Sequence, residues 1–134
     1  GHGSDLVRDY LSGHEVELVM QTQQLGTGHA VLCARPALKE FCGKVLILCG
    51  DAPLLKRDTL VSFMRAHEQS GKSLSILTAH LKDPTGYGRV LRSVSDRAEI
   101  QGIVEDKDAT EAERLLTEVN TGTYAVDSEF LFDA

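Results

Sequence analysis

An aspartate that directly follows an apolar run is the residue best placed to do chemistry in this sequence. Residues 45–49 (VLILC) are apolar without interruption, which predicts a strand buried on both faces. Gly50 and Asp51 end the run, and Pro53 prevents the ladder from continuing. Open α/β sheets bind ligands beyond the carboxyl ends of their strands, where a carboxylate suits a hard cation such as Mg²⁺. The stretch alone leaves two roles open for Asp51, a ligand of that kind or a cap of the following turn.

A glutamine-rich loop precedes a predicted helix. Residues 21–28 read QTQQLGTG, and glycine at a helix start lets a ligand approach free backbone amides. Gln21 and Gln24 can each donate and accept, which suits the imide edge of a uracil or the amide edge of another base. Neither a GxGxxG pattern nor a Walker lysine is present. An ordinary strand-to-helix connection therefore remains the alternative.

Three further polar segments lie at the ends of predicted strands. Residues 83–89 (DPTGYGR) contain Gly88, whose backbone amide could meet a sugar hydroxyl, although a tight corner explains the segment equally well. Residues 105–108 (EDKD) have the composition of a solvated turn. Asn120 and Gly122 interrupt a strand, which indicates a bulge or a close ligand contact.

Composition excludes several classes of function. The chain has 134 residues and a net charge of −6 without a basic run, so nucleic-acid binding is not expected. No apolar stretch approaches the ~20 residues that span a bilayer, and no signal peptide is visible, so we expect a cytoplasmic protein that does not bind membranes. The three cysteines form no CxxC pair and indicate reduced thiols rather than a zinc site.

The first half of the chain alternates predicted helices and strands. The predicted helices start after Ser4, near residue 28 and at Asp58 or Thr59, and the last of them ends at Gly71. The predicted strands cover 15–20, 44–49 and 73–81. This alternation predicts right-handed βαβ units in a parallel sheet, with residues 44–49 as its central strand.

The second half has antiparallel character. Residues 88–93 and 98–105 flank a turn and predict a hairpin. Thr110 and Glu113 have the spacing of a capping box at the start of a short helix. A strand over 118–126 and the start of another helix follow.

Five segments together resemble one enzyme family. In chain order they are QLGTGHA (24–30), GDAPLL (50–55), DPTGYGR (83–89), IVEDKDAT (103–110) and NTGTYA (120–125). They are similar to the uridyltransferase (pyrophosphorylase) domain of the bacterial bifunctional N-acetylglucosamine-1-phosphate uridyltransferase/glucosamine-1-phosphate acetyltransferases. The resemblance implies an α/β fold with a Rossmann-like nucleotide-diphospho-sugar transferase sheet, mostly parallel with an antiparallel hairpin region and truncated at both ends.

The same resemblance implies a reaction and its cofactor. The family uses Mg²⁺ and joins UTP to N-acetylglucosamine 1-phosphate, giving UDP-N-acetylglucosamine and pyrophosphate for peptidoglycan and lipopolysaccharide synthesis. It implies a cytoplasmic, homo-oligomeric parent enzyme. Two alternatives stay open, a non-catalytic sugar-nucleotide-binding module and a nucleotidyltransferase for another sugar 1-phosphate.

Site residues follow from the resemblance position by position. The uridine-binding positions are Gln21, Gly26 and Thr27. The sugar-nucleotide-binding positions are Cys49, Gly50, Asp51, Gly88, Glu105 and Asn120. Asp51 is also the implied catalytic residue and Mg²⁺ ligand.

The chain departs from the family pattern in several ways. The family's glycine-rich phosphate loop, a later metal-binding asparagine and the acetyltransferase domain have no counterpart in these 134 residues. Cys49 stands where family members often carry tyrosine. We therefore expect residues 1–134 to be a partial uridyltransferase domain that is inactive by itself.

Overall fold

The computed structural model describes residues 3–52 and 54–132, which form five helices and five strands. The helices are α1 (Ser4–Leu11), α2 (Thr27–Cys33), α3 (Arg57–Ser70), α4 (Glu111–Arg114) and α5 (Ser128–Leu131). The strands are β1 (Lys44–Ile47), β2 (Leu74–His80), β3 (Arg89–Arg92), β4 (Ile100–Val104) and β5 (Glu118–Asp127). The chain divides into two compact units, Gly1–Gly43 with Ser128–Ala134, and Lys44–Asp127. Pro53, predicted to end the ladder after β1, lies outside the described residues.

The first unit is helical and differs from the prediction in two places. The helix predicted after Ser4 is confirmed as α1, but Gly3, at φ 72°, occupies the cap position and no side chain caps the helix. The strand predicted over 15–20 is wrong, because these residues are not in a strand and Val16 and Met20 are 52% and 45% exposed. Alternating apolar residues form a strand only where a neighbouring strand supplies the hydrogen bonds.

The second unit is organised by its last strand, β5. β2 pairs with β5 from Leu74↔Val126 to His80↔Glu118. β2 pairs with both Val126 and Val119 of β5. Because β1 also pairs with Val126 and β3 also pairs with Val119, these two strands lie on the opposite edge of β5. β4 continues the sheet beyond β3. The ten-residue β5 therefore joins three strands that are separate in the sequence.

The expected parallel sheet is wrong. Every strand pair among the described residues is antiparallel. β1 and β2 do run in the same direction, as a β1–α3–β2 crossover requires, because each is antiparallel to β5. They are not neighbours, since β5 lies between them. The alternation of helices and strands predicts that β1 and β2 run in the same direction, but it does not predict which later strand lies between them.

β1 is not the central strand that its apolar run predicted. Among the described residues it pairs only with β5, its residues are half-buried at best, and the following Leu48 is 47% exposed.

The α/β class is nevertheless confirmed. The longest described helix, α3, has 14 residues, and no helix in the described ranges is long and apolar enough to cross a membrane.

Several local predictions are confirmed. α3 buries Phe63 and His67 and ends at Gly71, whose φ of 62° is left-handed. The β3–β4 hairpin forms, and Thr110 makes the capping box of α4. The helix end, the hairpin and the capping box each depend on residues close together in the sequence.

A bulge in β5 confirms the interruption predicted around Asn120. Leu77 pairs with Thr123, and the next residue of β2, Thr78, pairs with Asn120. Thr121 and Gly122 are therefore extra residues in β5. Gly122 has φ 73°, a conformation that favours glycine.

Candidate functional site

A cleft of about 650 Å³ lies on the second unit, beside the bulge of β5. Its walls include residues following β1, preceding β3, following β4 and within β5. The volume is within the range of small-molecule sites, which runs from about 300 to 1,000 Å³. The cleft arises because β1 and β3 occupy the same edge of β5, with residues 120–123 between their pairing positions.

Most of the predicted sugar-nucleotide residues line this cleft. They are Cys49, Asp51, Gly88, Glu105 and Asn120. Gly50 lies between two of them in the chain but is not itself a lining residue. Residues up to 71 positions apart in sequence are thus brought to one surface.

Hydrogen bonds connect the lining residues through the bulge. The Cys49 thiol donates to the Gly122 carbonyl at 3.4 Å. The Gly122 backbone amide donates to the side-chain Oδ1 of Asn120 at 2.9 Å. The backbone amide of Asn120 donates to the Gly88 carbonyl at 2.9 Å. The relative positions of the wall segments are therefore fixed by one backbone hydrogen bond and two bonds between a side chain and the backbone.

Gly88 brings its backbone close to the Glu105 carboxylate. A Cβ placed on Gly88 would lie 2.9 Å from Ile103 Cγ2 and 3.6 and 3.7 Å from the two Glu105 oxygens. A side chain at position 88 would therefore collide with β4 and occupy the space in front of Glu105. Glycine keeps this space open for a ligand.

The cleft contains two exposed carboxylates, Asp51 and Glu105. Neither forms an ion pair with another residue in the ranges 3–52 and 54–132. Within those ranges no group of three or more His, Cys, Asp or Glu side chains could hold a metal ion. Mg²⁺ characteristically takes one or two carboxylates together with substrate phosphates. A carboxylate in this cleft suits a cation that arrives with a phosphate, and the role of Asp51 as its ligand stays a prediction.

Arg89 supports the cleft and was not predicted. It is 2% exposed, and its Nη2 donates to Asp106 Oδ1 at 2.9 Å while Nη1 donates to the Tyr87 carbonyl. It thereby holds the chain neighbours of both Gly88 and Glu105. The available sequence signal was a basic residue directly before the apolar residues Val90 and Leu91.

A second ion pair joins three strands of the same sheet. Arg92 Nε and Nη2 donate to the two Glu118 oxygens at 2.9 and 2.5 Å, and the Thr78 hydroxyl donates to Glu118 at 2.7 Å. The Arg92 guanidinium lowers the pKa of Glu118 from 4.5 to about 2. A carboxylate whose pKa lies that far below neutrality is a weak proton acceptor, which favours a structural role for Glu118 over general acid–base catalysis.

The glutamine loop lies in the first unit. Gln21 Nε2 donates to the Gly26 carbonyl at 3.2 Å and lies 3.0 Å from His29 Nδ1. Gly26, at φ 99°, occupies the cap position of α2, and Thr27 is the first helical residue. The three predicted uridine contacts are therefore neighbours within this unit, and their role stays a prediction.

Comparison with known proteins gives the chain a family context. The family described as Nucleotidyl transferase matches residues 4–134. The Bifunctional protein GlmU of Halalkalibacterium halodurans is 50% identical over 134 residues and that of Syntrophotalea carbinolica 47%, each across the whole chain. The chain spans only 29% and 28% of those two proteins.

A solved structure supports the fold. The crystal structure of HddC from Yersinia pseudotuberculosis has a TM-score of 0.63 and 19% identity, and covers 98% of this chain and 55% of that one. At that identity, the likeness establishes the fold alone.

Proposed function

This chain belongs to the nucleotidyl transferase family, and we propose that its parent polypeptide is an N-acetylglucosamine-1-phosphate uridyltransferase. The reaction joins UTP and N-acetylglucosamine 1-phosphate into UDP-N-acetylglucosamine and releases pyrophosphate. The observation that carries the proposal is the gathering of Cys49, Asp51, Gly88, Glu105 and Asn120 in one cleft. Identity of 47% and 50% to Bifunctional protein GlmU, across the whole chain, supports the substrate class.

The proposed chemistry is an in-line phosphoryl transfer. A phosphate oxygen of the sugar 1-phosphate attacks the α-phosphorus of UTP, and the bond to pyrophosphate breaks. Such a reaction needs no nucleophilic side chain, because positioning and charge neutralisation provide the rate acceleration. A bound Mg²⁺ supplies that neutralisation, and Asp51 is the residue that would hold it. The Asp51 carboxylate is available for this role because it has no ion-pair partner among the described residues.

The sugar is assigned to the side of the cleft formed by Gly88, Glu105 and Asn120. Glu105 provides acceptor oxygens for sugar hydroxyls, and Asn120 provides a carboxamide that both donates and accepts. Gly88 contributes backbone and leaves the space in front of Glu105 open. Cys49 and Gly50 belong to the segment between sugar and nucleotide. A cysteine at position 49 offers a weaker hydrogen bond than tyrosine does.

The uridine is assigned to Gln21, Gly26 and Thr27. A glutamine carboxamide carries both a donor and an acceptor, the two kinds of group that a uracil imide edge requires, and the Gln21 nitrogen also contacts Gly26 and His29. Gly26 adjoins the start of α2, where backbone amides are available. This assignment predicts that the parent enzyme prefers UTP over other nucleoside triphosphates.

Replacing Asp51 tests the proposal. In the full-length gene product, we expect Asp51→Asn to lower kcat by roughly a hundredfold or more, because removing a metal ligand removes several kcal/mol of transition-state stabilisation. Uridine nucleotide binding, measured by calorimetry, should change little. The exposed Asp58 provides a matched control, and Asp58→Asn should retain activity.

The same assay separates the alternatives. A non-catalytic binding module would turn over no substrate and would bind UDP-sugar regardless of Asp51→Asn. A nucleotidyltransferase for another sugar would prefer a different member of a panel of sugar 1-phosphates. Either result would overturn the proposed reaction.

The biological setting is proposed from the resemblance. We assign the parent to the cytoplasm, as a homo-oligomer that supplies peptidoglycan and lipopolysaccharide synthesis. We treat residues 1–134 as a partial uridyltransferase domain, inactive by itself. UDP-N-acetylglucosamine formed by the 134-residue chain would contradict that inactivity.

A further inference from the structure

The bulge in β5 brings the side chains of Asn120 and Tyr124 together. In a regular strand, residues four apart lie about 13 Å from each other. Here Thr78 pairs with Asn120 and Ile76 pairs with Tyr124, so the two residues are separated by only two steps of β2. They therefore lie on one face at a spacing of about 7 Å. Asn120 Nδ2 donates to the Tyr124 hydroxyl at 2.7 Å.

A second contact determines which way the Asn120 carboxamide points. The Gly122 backbone amide can only donate, and it lies 2.9 Å from Asn120 Oδ1. The oxygen must therefore face Gly122, which leaves the nitrogen facing Tyr124. Two contacts on opposite ends of the carboxamide prevent it from rotating.

The remaining hydrogen-bonding capacity of Asn120 is defined by this arrangement. A carboxamide has two N–H donors and two oxygen lone pairs. One donor is taken by Tyr124 and one lone pair by Gly122. One donor and one acceptor remain on a residue that lines the cleft, and together they match a hydroxyl group, which both donates and accepts.

We propose that Tyr124 is a positioning residue that orients the Asn120 carboxamide toward a hydroxyl of the sugar 1-phosphate. This inference rests on the proposed function, since it takes the ligand on the Asn120 side to be the sugar. Tyr124 is not a lining residue of the cleft, so it acts through Asn120. Its effect therefore falls on sugar binding and not on uridine binding.

Steady-state kinetics of the full-length gene product test the inference. Tyr124→Phe removes the hydroxyl and retains the ring. We expect it to raise the Michaelis constant for the sugar 1-phosphate by roughly three- to tenfold, as loss of one hydrogen bond predicts, and to leave that for UTP unchanged. Tyr10, 79% exposed on α1, provides the matched control, and Tyr10→Phe should change neither constant.

A double-mutant cycle separates positioning from general stability. Because Tyr124 acts through Asn120, adding Tyr124→Phe to Asn120→Ala should cause no further rise in the Michaelis constant for the sugar 1-phosphate. An additional rise, or an equal rise of both Michaelis constants with a lowered Tm, would assign Tyr124 a merely structural role and overturn the inference.

The failures of the two proposals are distinguishable. A wild-type protein that makes no UDP-sugar overturns the proposed function and the sugar role of Tyr124 with it. An active wild type whose Tyr124→Phe variant has an unchanged Michaelis constant for the sugar 1-phosphate overturns only this inference.

In the ¹H–¹⁵N spectrum of the chain, Tyr124→Phe should move the Asn120 side-chain amide signal, and an unmoved signal would contradict the hydrogen bond itself.

Discussion

Gly88 and Gly122 are both required by the cleft, for different physical reasons. Gly88 does not have a positive φ, but any Cβ there would meet Ile103 at 2.9 Å. Gly122 has φ 73°, and a Cβ there would lie 2.6 Å from Cys49 Sγ. The first glycine permits close approach of two strands, and the second permits the bulge that presents Asn120.

Replacing Gly88 with alanine should impair sugar binding. The added methyl group must displace the Ile103 side chain and would fill the space 3.6 Å from the Glu105 carboxylate, so we expect a higher Michaelis constant for the sugar phosphate in the full-length protein. We also expect a loss of about 1–3 kcal/mol in the free energy of unfolding, as overpacking causes. Kinetics and urea unfolding measure the two effects.

Gly102 provides the control for Gly88. It lies in β4 without a positive φ, and its Cβ would meet no atom within 4 Å. Gly102→Ala should therefore leave both kinetics and stability near wild type. Equal effects of the two substitutions would show that glycine at position 88 has no special role.

Among the elements, β5 determines the arrangement of the second unit. It carries the buried residues Val119, Ala125 and Val126 and pairs with β1, β2 and β3. The carboxylate of its first residue, Glu118, joins it to Arg92 of β3 and Thr78 of β2. The pairing of these strands therefore depends in part on an ionised side chain.

The Arg92–Glu118 pair should make stability depend on pH. Arg92 lowers the pKa of Glu118 to about 2, from 4.5. A carboxylate with a lowered pKa in the folded state adds stability above 4.5, and this contribution is lost as the pH falls toward 2. We expect Glu118→Gln to lower the free energy of unfolding by about 1–2 kcal/mol near neutrality and to have little effect near the lower pKa.

Urea unfolding of the chain across this pH range measures the difference. The exposed Glu99 in the β3–β4 turn is the control, and Glu99→Gln should change stability little at any pH. If Glu118→Gln lowers the free energy of unfolding by the same amount at every pH down to the lower pKa, the charge of Glu118 is not the source of that stability.

At the scale of the whole chain, β1 leaves one sheet edge available. Among the described residues it pairs on one side only, and the exposed Leu48 follows it. Unpaired strand edges promote association between copies. We expect the 134-residue chain to self-associate as its concentration rises, which sedimentation velocity would detect.

Substitutions by lysine test whether this edge is responsible. Leu48→Lys should weaken association, because charged side chains oppose strand pairing between molecules. Val94, which is 99% exposed in the β3–β4 turn, gives the matched control, and Val94→Lys should associate like the wild type. A wild-type chain that stays monomeric at every concentration would contradict the prediction.

The sequence by itself determined the features that depend on neighbouring residues. The α3 boundary at Gly71, the β3–β4 hairpin and the Thr110 capping box were predicted because each needs only a few adjacent residues. The interruption of the strand at Asn120 was predicted for the same reason, as a bulge or a ligand contact, and the structure shows a bulge. The family was recognised from motifs, which carry chemistry residue by residue and do not require knowledge of the sheet.

Tertiary structure alone decided which strands are neighbours. β1 was predicted to be a central parallel strand, yet it ends at Ile47 and its partner β5 begins 71 positions later, at Glu118, and no local pattern encodes that pairing. The strand predicted over 15–20 failed for the same reason, because alternation does not supply a partner. The Asn120–Tyr124 contact also depends on pairing, since the register of β2 against β5 sets their spacing. Hydrogen bonds between distant strands are chosen by the packing of the whole unit, and so they became visible only in the folded chain.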